Sequence, residues 1–253
     1  MITFSLQSGS NGNAIYVEAD GVRLLFDAGI SGKCAERRMA EHGRDIRDVD
    51  ALIISHDHND HIRSAGIYQR KFGLPIYLTR RTQGATWCKL GRLDDVRYFR
   101  AGSPIVLNGV TVHTIPTPHD AADGVAFVVE AEGRRLGILT DLGHAFPGLA
   151  EVLHSVDAAY VESNYDPAML ETSAYPAHLK QRIRGDGGHL SNQDAAALLR
   201  SCGRRRPKWI AVAHLSEENN HPDLAIGAQL HAVGRDYPVF LASRYAVSEL
   251  LTV

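Results

Sequence analysis

Residues 51–61 read ALIISHDHNDH, an aliphatic run that breaks directly into four side chains able to ligate a metal, His56, His58, Asp60 and His61. The run itself has the β-branched character of a buried strand. His56 and His58 stand two apart, so in an extended segment both imidazoles project to one side; Asp60 and His61 follow as the chain turns toward helix. Imidazoles combined with a carboxylate suit Zn, Mn or Fe, whereas Mg or Ca would take mostly oxygen donors. By composition, a His-x-His-x-Asp-His string arises in roughly one of several hundred chains of this length. The competing reading is a polar loop whose histidines are simply solvated.

Outward from this stretch, short β-branched runs alternate with helical patterns, and Gly or Asp clusters mark the joins. Strands are expected at 2–7, 14–18, 22–26, 51–55, 76–78, 110–115, 125–130, 135–140, 158–161, 209–213 and 239–241, and helices at 33–42, 64–72, 80–90, 146–154, 176–183, 192–202 and 222–233. No Pro- or Ser-rich linker interrupts them, so a single domain over residues 1–253 is expected. A weak internal echo supports two similar halves: DGVRLLFDAG from Asp20 with DALIIS beyond it, and EGRRLGILTDLG from Glu132 with DAAYVE beyond it. Two such units can pack as facing sheets with helices outside, an α/β fold of four layers, αββα.

Further ligand candidates follow other strands. His119 lies in TIPTPHD, Asp141 follows GILT, and His214 follows WIAVA. In α/β folds the carboxyl ends of strands open onto a shared edge, where active sites assemble. Each alone would pass for a loop histidine or a turn aspartate; beside the His-rich string they read as one cluster. The segment GDGGHLSNQDA adds a different element: Ser191 with Asp194 three residues later fits a helix N-cap and its capping-box partner. His189 then stands just before a helix start, where backbone N–H groups favour a phosphate and the imidazole could give a proton to a leaving oxygen.

Composition excludes little but sets the class. The chain has 253 residues, Lys+Arg 27 against Asp+Glu 29, and 44% hydrophobic residues, with no run long enough to span a membrane and no secretory leader at its start. Three cysteines without a CxxC pair fit reduced thiols, and a cytoplasmic location is expected. The balanced charge argues against a polybasic coat protein but leaves a local basic groove open. Arginine outnumbers lysine 22 to 5, with Arg37/Arg38, Arg80/Arg81, Arg182/Arg184 and Arg204–Arg206 grouped; these either grip a nucleic-acid backbone or are solvated faces, and the sequence singles out none.

With Asp27 in LLFDAG, these motifs resemble those of the metallo-β-lactamase superfamily across nearly the whole chain. The segments SGSNGNAIYVE, VESNYDPAML, GDGGHLSNQDA and VAHLSEENNHP are similar to its WalJ/YycJ-type exonuclease branch, which is related to RNase Z. The resemblance implies two divalent metal ions, Zn or Mn with Fe also suitable. One would be held by His56, His58 and His119, the other by Asp60, His61 and His214, with Asp141 bridging. It further implies that Asp27 orients the metal-binding loop and that Glu162 is the acidic partner of His189. The implied reaction is phosphodiester hydrolysis by a hydroxide bridging the metals, with Asp60 handling the water proton and His189 protonating the leaving group.

The interval between Asp141 and His214 is too short for the inserted clamp domain of larger relatives, and the region after Asp60 and His61 reads DHIRSAG, with Ser64 ahead of Gly66. The substrate implied is nucleic acid, DNA before RNA, digested 5′ to 3′, with no membrane partner. A small-molecule cyclic phosphodiesterase or lactonase using the same metals is the alternative.

Overall fold

Strand β1 (Ile2–Gln7) pairs antiparallel with β2 (Ala14–Ala19), and Asp20 and Gly21, both at positive φ (47° and 73°), close a two-residue hairpin into β3 (Val22–Phe26). Two consecutive positive φ angles give the turn a twist that matches the strands, which is why a glycine stands second. The computed structural model describes residues 1–253. After β3 come α1 (Gly32–Glu41), β4 (Ala51–Ile53), α2 (Asn59–Ile62), α3 (Ala65–Phe72), β5 (Ile76–Leu78), α4 (Arg80–Leu90) and β6 (Val96–Tyr98). Strands β3, β4, β5 and β6 run parallel to one another.

The second half repeats this plan. After the edge strand β7 (Ile105–Leu107), β8 (Val110–Pro116) and β9 (Val125–Ala131) are antiparallel, and Glu132 and Gly133 (φ 50° and 70°) close the matching hairpin into β10 (Arg134–Leu139). Then follow α5 (Leu149–His154), β11 (Ala158–Glu162), α6 (Pro167–Thr172), α7 (Ala177–Arg184), α8 (Asn192–Ser201), β12 (Trp209–Ala213), α9 (Pro222–Val233) and β13 (Val239–Leu241), with β10 to β13 parallel. The last strand, β14 (Leu251–Thr252), returns to pair with β1. Two seven-stranded sheets result, ordered β14-β1-β2-β3-β4-β5-β6 and β13-β12-β11-β10-β9-β8-β7. The echo between DGVRLLFDAG and EGRRLGILTDLG is thus an echo of topology.

The sheets face each other across a core that includes Val17, Leu24 and Phe26 from one and Phe127, Val129 and Ile138 from the other. Phe26 and Phe127 meet with ring centroids 5.0 Å apart. On the outer faces, Met39, Tyr68 and Phe72 of α1 and α3 cover Phe4, Leu25 and Leu52, while Leu153, Leu198 and Leu199 of α5 and α8 cover Val128, Val161 and Ile210. This is the four-layer αββα sandwich expected from the sequence. Each large apolar side chain so buried contributes about 1.5–3 kcal/mol.

The differences lie at the periphery. The short strands β6, β7 and β14 and the helices α2 and α6 were not expected, and α5 begins at Leu149 because Pro147 and a left-handed Gly148 (φ 91°) hold the chain in a turn. The capping box at α8 forms as the pattern predicts: Ser191 Oγ accepts from Asp194 N at 3.1 Å, and Asp194 Oδ2 accepts from Ser191 N at 3.2 Å. No helix is long and apolar enough to cross a membrane.

Candidate metal centre

Three side chains of the cluster leave strands through left-handed backbone: Asp27 after β3 (φ 66°), Asp141 after β10 (φ 55°) and His214 after β12 (φ 57°). Such conformations cost on the order of 1–3 kcal/mol each away from glycine and persist only where the surroundings enforce them. Asp27 and Asp141 occupy equivalent places in the two halves. His56 and His58 extend from β4, Asp60 and His61 lie on α2, and His119 sits on the loop after β8.

The ring nitrogens show which atoms are committed elsewhere. Ser55 Oγ lies 2.9 Å from His56 Nδ1 and donates to Asp27, whose Oδ2 lies 2.8 Å from His61 Nδ1. His119 Nδ1 donates to Gly188 O over 2.8 Å, and His58 Nε2 lies 3.2 Å from Asp120 O. The side-chain amide of Asn164 stands 3.1 Å from His214 Nδ1. Each imidazole is therefore pinned through one nitrogen and turns the other inward, the arrangement that fixes tautomer and orientation in metal sites.

The inward atoms fall into groups. His56, His58 and His119 form one, with His58 Nδ1 and His119 Nε2 3.1 Å apart; Asp60, His61 and His214 form another, with Asp60 Oδ2 3.3 Å from His214 Nε2; and two more overlap these, His56 with His61 and Asp141, and Asp141 with Glu162, His189 and His214. Asp141 stands between the first two, Oδ2 at 3.2 Å from His61 Nε2 and Oδ1 at 3.6 Å from His119 Nε2. Two atoms of this cluster, His56 Nε2 and Asp141 Oδ2, are buried with no hydrogen-bond partner. Leaving a buried polar atom unpaired costs about 1–3 kcal/mol, and both point where the other donors converge. An N/O donor set with orphaned ligand atoms fits a divalent cation of the Zn, Mn or Fe type.

Electrostatics agree. Burial pushes the carboxyls of Asp60 and Asp141 up, but the surrounding histidines outweigh it and hold both below the ordinary carboxylate range. Burial likewise pushes His214 down, yet Asp141, Asp60 and Glu162 raise it to about 10, and Asp141, Asp27 and Asp60 raise His61. The same negative field that favours protons on these rings favours cations. His56 and His119 go the other way, lowered chiefly by burial, and stay neutral, the state in which an imidazole is able to ligate a metal.

His189 lies beside this cluster and lines a cleft of about 440 Å³ together with Asp60, Asp141, His214, Lys89, Tyr175 and Arg182. Its Nδ1 is 2.6 Å from Glu162 Oε1. Glu162 also accepts from Leu142 N and Leu190 N through Oε2, so its oxygens are occupied by protein donors. Burial raises Glu162, but the His189 imidazole and its hydrogen bond pull it down to about 2.

All ten candidate site residues named from the sequence thus converge: Asp27, His56, His58, Asp60, His61, His119, Asp141, His189 and His214, and Glu162 behind His189. Sequence reasoning missed four that hold them. Asn13 donates to Gly9 O and lies 3.0 Å from His61 Nε2; Ser55 and Asn164 orient the rings as described; Asp120 links His58 to Arg182, whose Nε donates to it over 2.6 Å. Asn13 and Asn164 sit inside the motif strings SGSNGNAIYVE and VESNYDPAML, so the signal was present without a role attached. Gly29 completes the frame: a Cβ there would lie 1.7 Å from Asp60 O, so only glycine lets the loop after Asp27 pass the Asp60–His61 pair.

Two facing mixed sheets with a His/Asp cluster at their strand ends define the metallo-β-lactamase class of fold. Residues 22–210 match the family described as beta-lactamase superfamily domain. The chain is 35% identical over 222 residues to the exodeoxyribonuclease YycJ of Bacillus anthracis, covering 87% of this chain and 84% of that protein. It is 36% identical over 225 residues to the exodeoxyribonuclease WalJ of Streptococcus pneumoniae, covering 87% and 83%. The crystal structure of the metallo-β-lactamase fold protein YhfI from Bacillus subtilis superposes with a TM-score of 0.76 over 99% of both chains at 16% identity, a likeness of fold. The chain belongs to the β-lactamase superfamily, in the branch of YycJ and WalJ.

Proposed function

We propose that this chain is a metal-dependent phosphodiester hydrolase acting on nucleic acid, a DNA exonuclease working 5′ to 3′, with residues 1–253 acting as one domain without an inserted clamp. The observation that carries the reading is the pair of ligand groups flanking Asp141, with Asp141 Oδ2 and His56 Nε2 buried and unpartnered between them. His56, His58 and His119 would hold one divalent ion, Asp60, His61 and His214 a second, and Asp141 both; zinc or manganese suits these donors, and iron does also. When bound, two such ions lower the pKa of water and neutralise charge on a phosphoryl group under in-line attack.

The rest is the work of the protein's own groups. Asp60, kept a carboxylate by the surrounding histidines, accepts a hydrogen bond from the attacking water and orients it. His189, its Nδ1 anchored on Glu162, has Nε2 left to donate a proton to the departing oxygen, and the Glu162 carboxylate stabilises the imidazolium that makes this donation. Asp27, through Ser55 and His61, keeps the ligand loop in place. Support for DNA as substrate comes from the exodeoxyribonuclease relatives.

The test incubates the purified protein with end-labelled single- and double-stranded DNA in Mn and in Zn, beside bis(p-nitrophenyl) phosphate and a lactone. Stepwise shortening of DNA from its 5′ end is expected. Hydrolysis of the small diester alone would move the reading to a small-molecule phosphodiesterase, and of the lactone alone to a lactonase.

A further inference from the structure

Helix α4 forms one shoulder of the cleft, and its outer face has an unusual surface. Near its C-terminal end Lys89 lines the cleft and donates to Asn59 Oδ1, one residue before Asp60, over 3.1 Å. At its other end Arg80 and Arg81 border a hollow of about 370 Å³ with Tyr98, Phe99, Arg100 and Asp123. Between them Trp87 stands 73% exposed. The helix sequence RRTQGATWCKL holds no acidic residue.

The cations at the far end are free of protein partners. Nearby Arg92, Arg97 and Arg182 are ion-paired with Asp94, Asp95 and Asp120, whereas the guanidinia of Arg80, Arg81 and Arg100 have no carboxylate within ion-pair distance. Arg80 is instead held over the Tyr98 ring, 4.1 Å from its centroid, and Tyr98 is fixed by donating to Gln83 Oε1 over 2.6 Å. Stacking on an aromatic face orders a guanidinium while leaving its N–H donors available, the state suited to meeting a phosphate. An exposed tryptophan is the other half of the pattern: single-stranded nucleic acid is bound by cations that track the backbone and aromatic rings on which bases stack. Seven residues apart, Arg80 and Trp87 share one face of the helix, and at 1.5 Å rise per residue they span about 10 Å, roughly three nucleotides of a stacked strand.

Resting on the nucleic-acid reading of the cleft, we propose that the outer face of α4, carrying Arg80, Arg81 and Trp87, together with the neighbouring Arg100 beyond β6, is the docking track for a single-stranded substrate whose end reaches the metal centre. Proximity to the cleft selects nucleic acid over an anionic membrane as the occupant: Asp123 of the hollow follows Ala122, whose N–H donates over 2.8 Å to Asp57 of the cleft lining, while Lys89 occupies the cleft-facing flank of the same helix.

The chain contains two tryptophans, and Trp209 is 7% exposed and packed in the core, so ligand-dependent quenching reports on Trp87. The metal-loaded protein is titrated with a single-stranded oligothymidylate carrying phosphorothioate linkages, which keep the charge and resist cleavage. Saturable quenching is expected, and W87F abolishes it. The double variant R80A/R81A should weaken binding about tenfold and flatten the slope of log K against log salt by about 1.4, two phosphate contacts at about 0.7 each. Both variants should hydrolyse bis(p-nitrophenyl) phosphate at the wild-type rate, with unchanged far-UV circular dichroism. Quenching that persists in W87F, or a double variant with unchanged affinity and salt slope that still digests DNA, would overturn the track and leave the nuclease reading intact. A wild-type protein that neither binds nor digests DNA while cleaving the small diester would sink both. A response of Trp87 to phosphatidylglycerol vesicles and not to the oligonucleotide would assign the patch to a membrane and overturn the proposal.

Discussion

His189 Nδ1 lies 2.6 Å from the buried Glu162 Oε1 and 3.8 Å from Asp141 Oδ1, and His189 lines the cleft. Because Glu162 is satisfied by His189 and two backbone N–H groups, the pair stands outside both proposed ligand triads and can be altered while leaving them intact. His189→Ala and Glu162→Gln should keep the wild-type metal content, while kcat falls by roughly 10²–10⁴ for the first and less for the second. Metal analysis beside steady-state kinetics checks this; a His189→Ala protein at full rate would remove the proton-donor role.

Loss of a ligand should act differently. Asp141→Asn and His58→Ala are expected to lower metal content and abolish turnover together. Since an ion binding only the folded state stabilises by about 2.7 kcal/mol at a hundredfold excess over its Kd, chelator treatment should lower the thermal midpoint of the wild type, and added Zn or Mn should restore it. The Asp141→Asn protein should respond weakly to both.

Gly29→Ala sets a Cβ 1.7 Å from Asp60 O and 2.5 Å from Asn13 N. Neither atom is a flexible side-chain end, so the loop must shift; a cost of about 1–3 kcal/mol or more is expected. The variant should unfold at lower denaturant and bind metal poorly, a combination not produced by Ala at the open turn Gly43→Ala site, where strain comes from φ alone.

The ion pair between Glu18 and Arg44, 2.7 Å apart on the sheet's outer side, sets a pH dependence remote from the centre. Burial raises the Glu18 carboxyl, but Arg44 and the Tyr16 hydroxyl outweigh it and hold it below its ordinary value. A carboxyl lowered on folding stabilises fully above its unfolded value, near about 4.3, and loses that stabilisation as pH falls through the folded value. Glu18→Gln should therefore be less stable than wild type at pH 7, by no more than about 1 kcal/mol for so accessible a pair, and the gap should close near pH 3. Denaturant curves at the two pH values measure it.

The parts of this molecule legible in its sequence were those with period or position. Short β-branched runs marked the central strands, and SHDHNDH, His119, Asp141 and His214 marked strand ends whose side chains meet because those ends share one edge of the sandwich. The two-residue hairpins at Asp20–Gly21 and Glu132–Gly133 made the halves comparable. What escaped were elements stabilised by context: β7 and β14 are short edge strands that form by pairing with β8 and β1 rather than by their own propensity. Asn13, Ser55 and Asn164 escaped as well, since a small polar residue reveals its role only when the imidazole it supports is in place.

The account stands most directly on a metal titration. Chelator-stripped protein is given Mn in fractions of an equivalent while nucleotide release from 5′-labelled single-stranded DNA is followed. The two ligand groups around Asp141 predict little activity up to one equivalent and a rise that saturates at two. Full activity at one equivalent or with none, or no release from DNA at any loading, would contradict it.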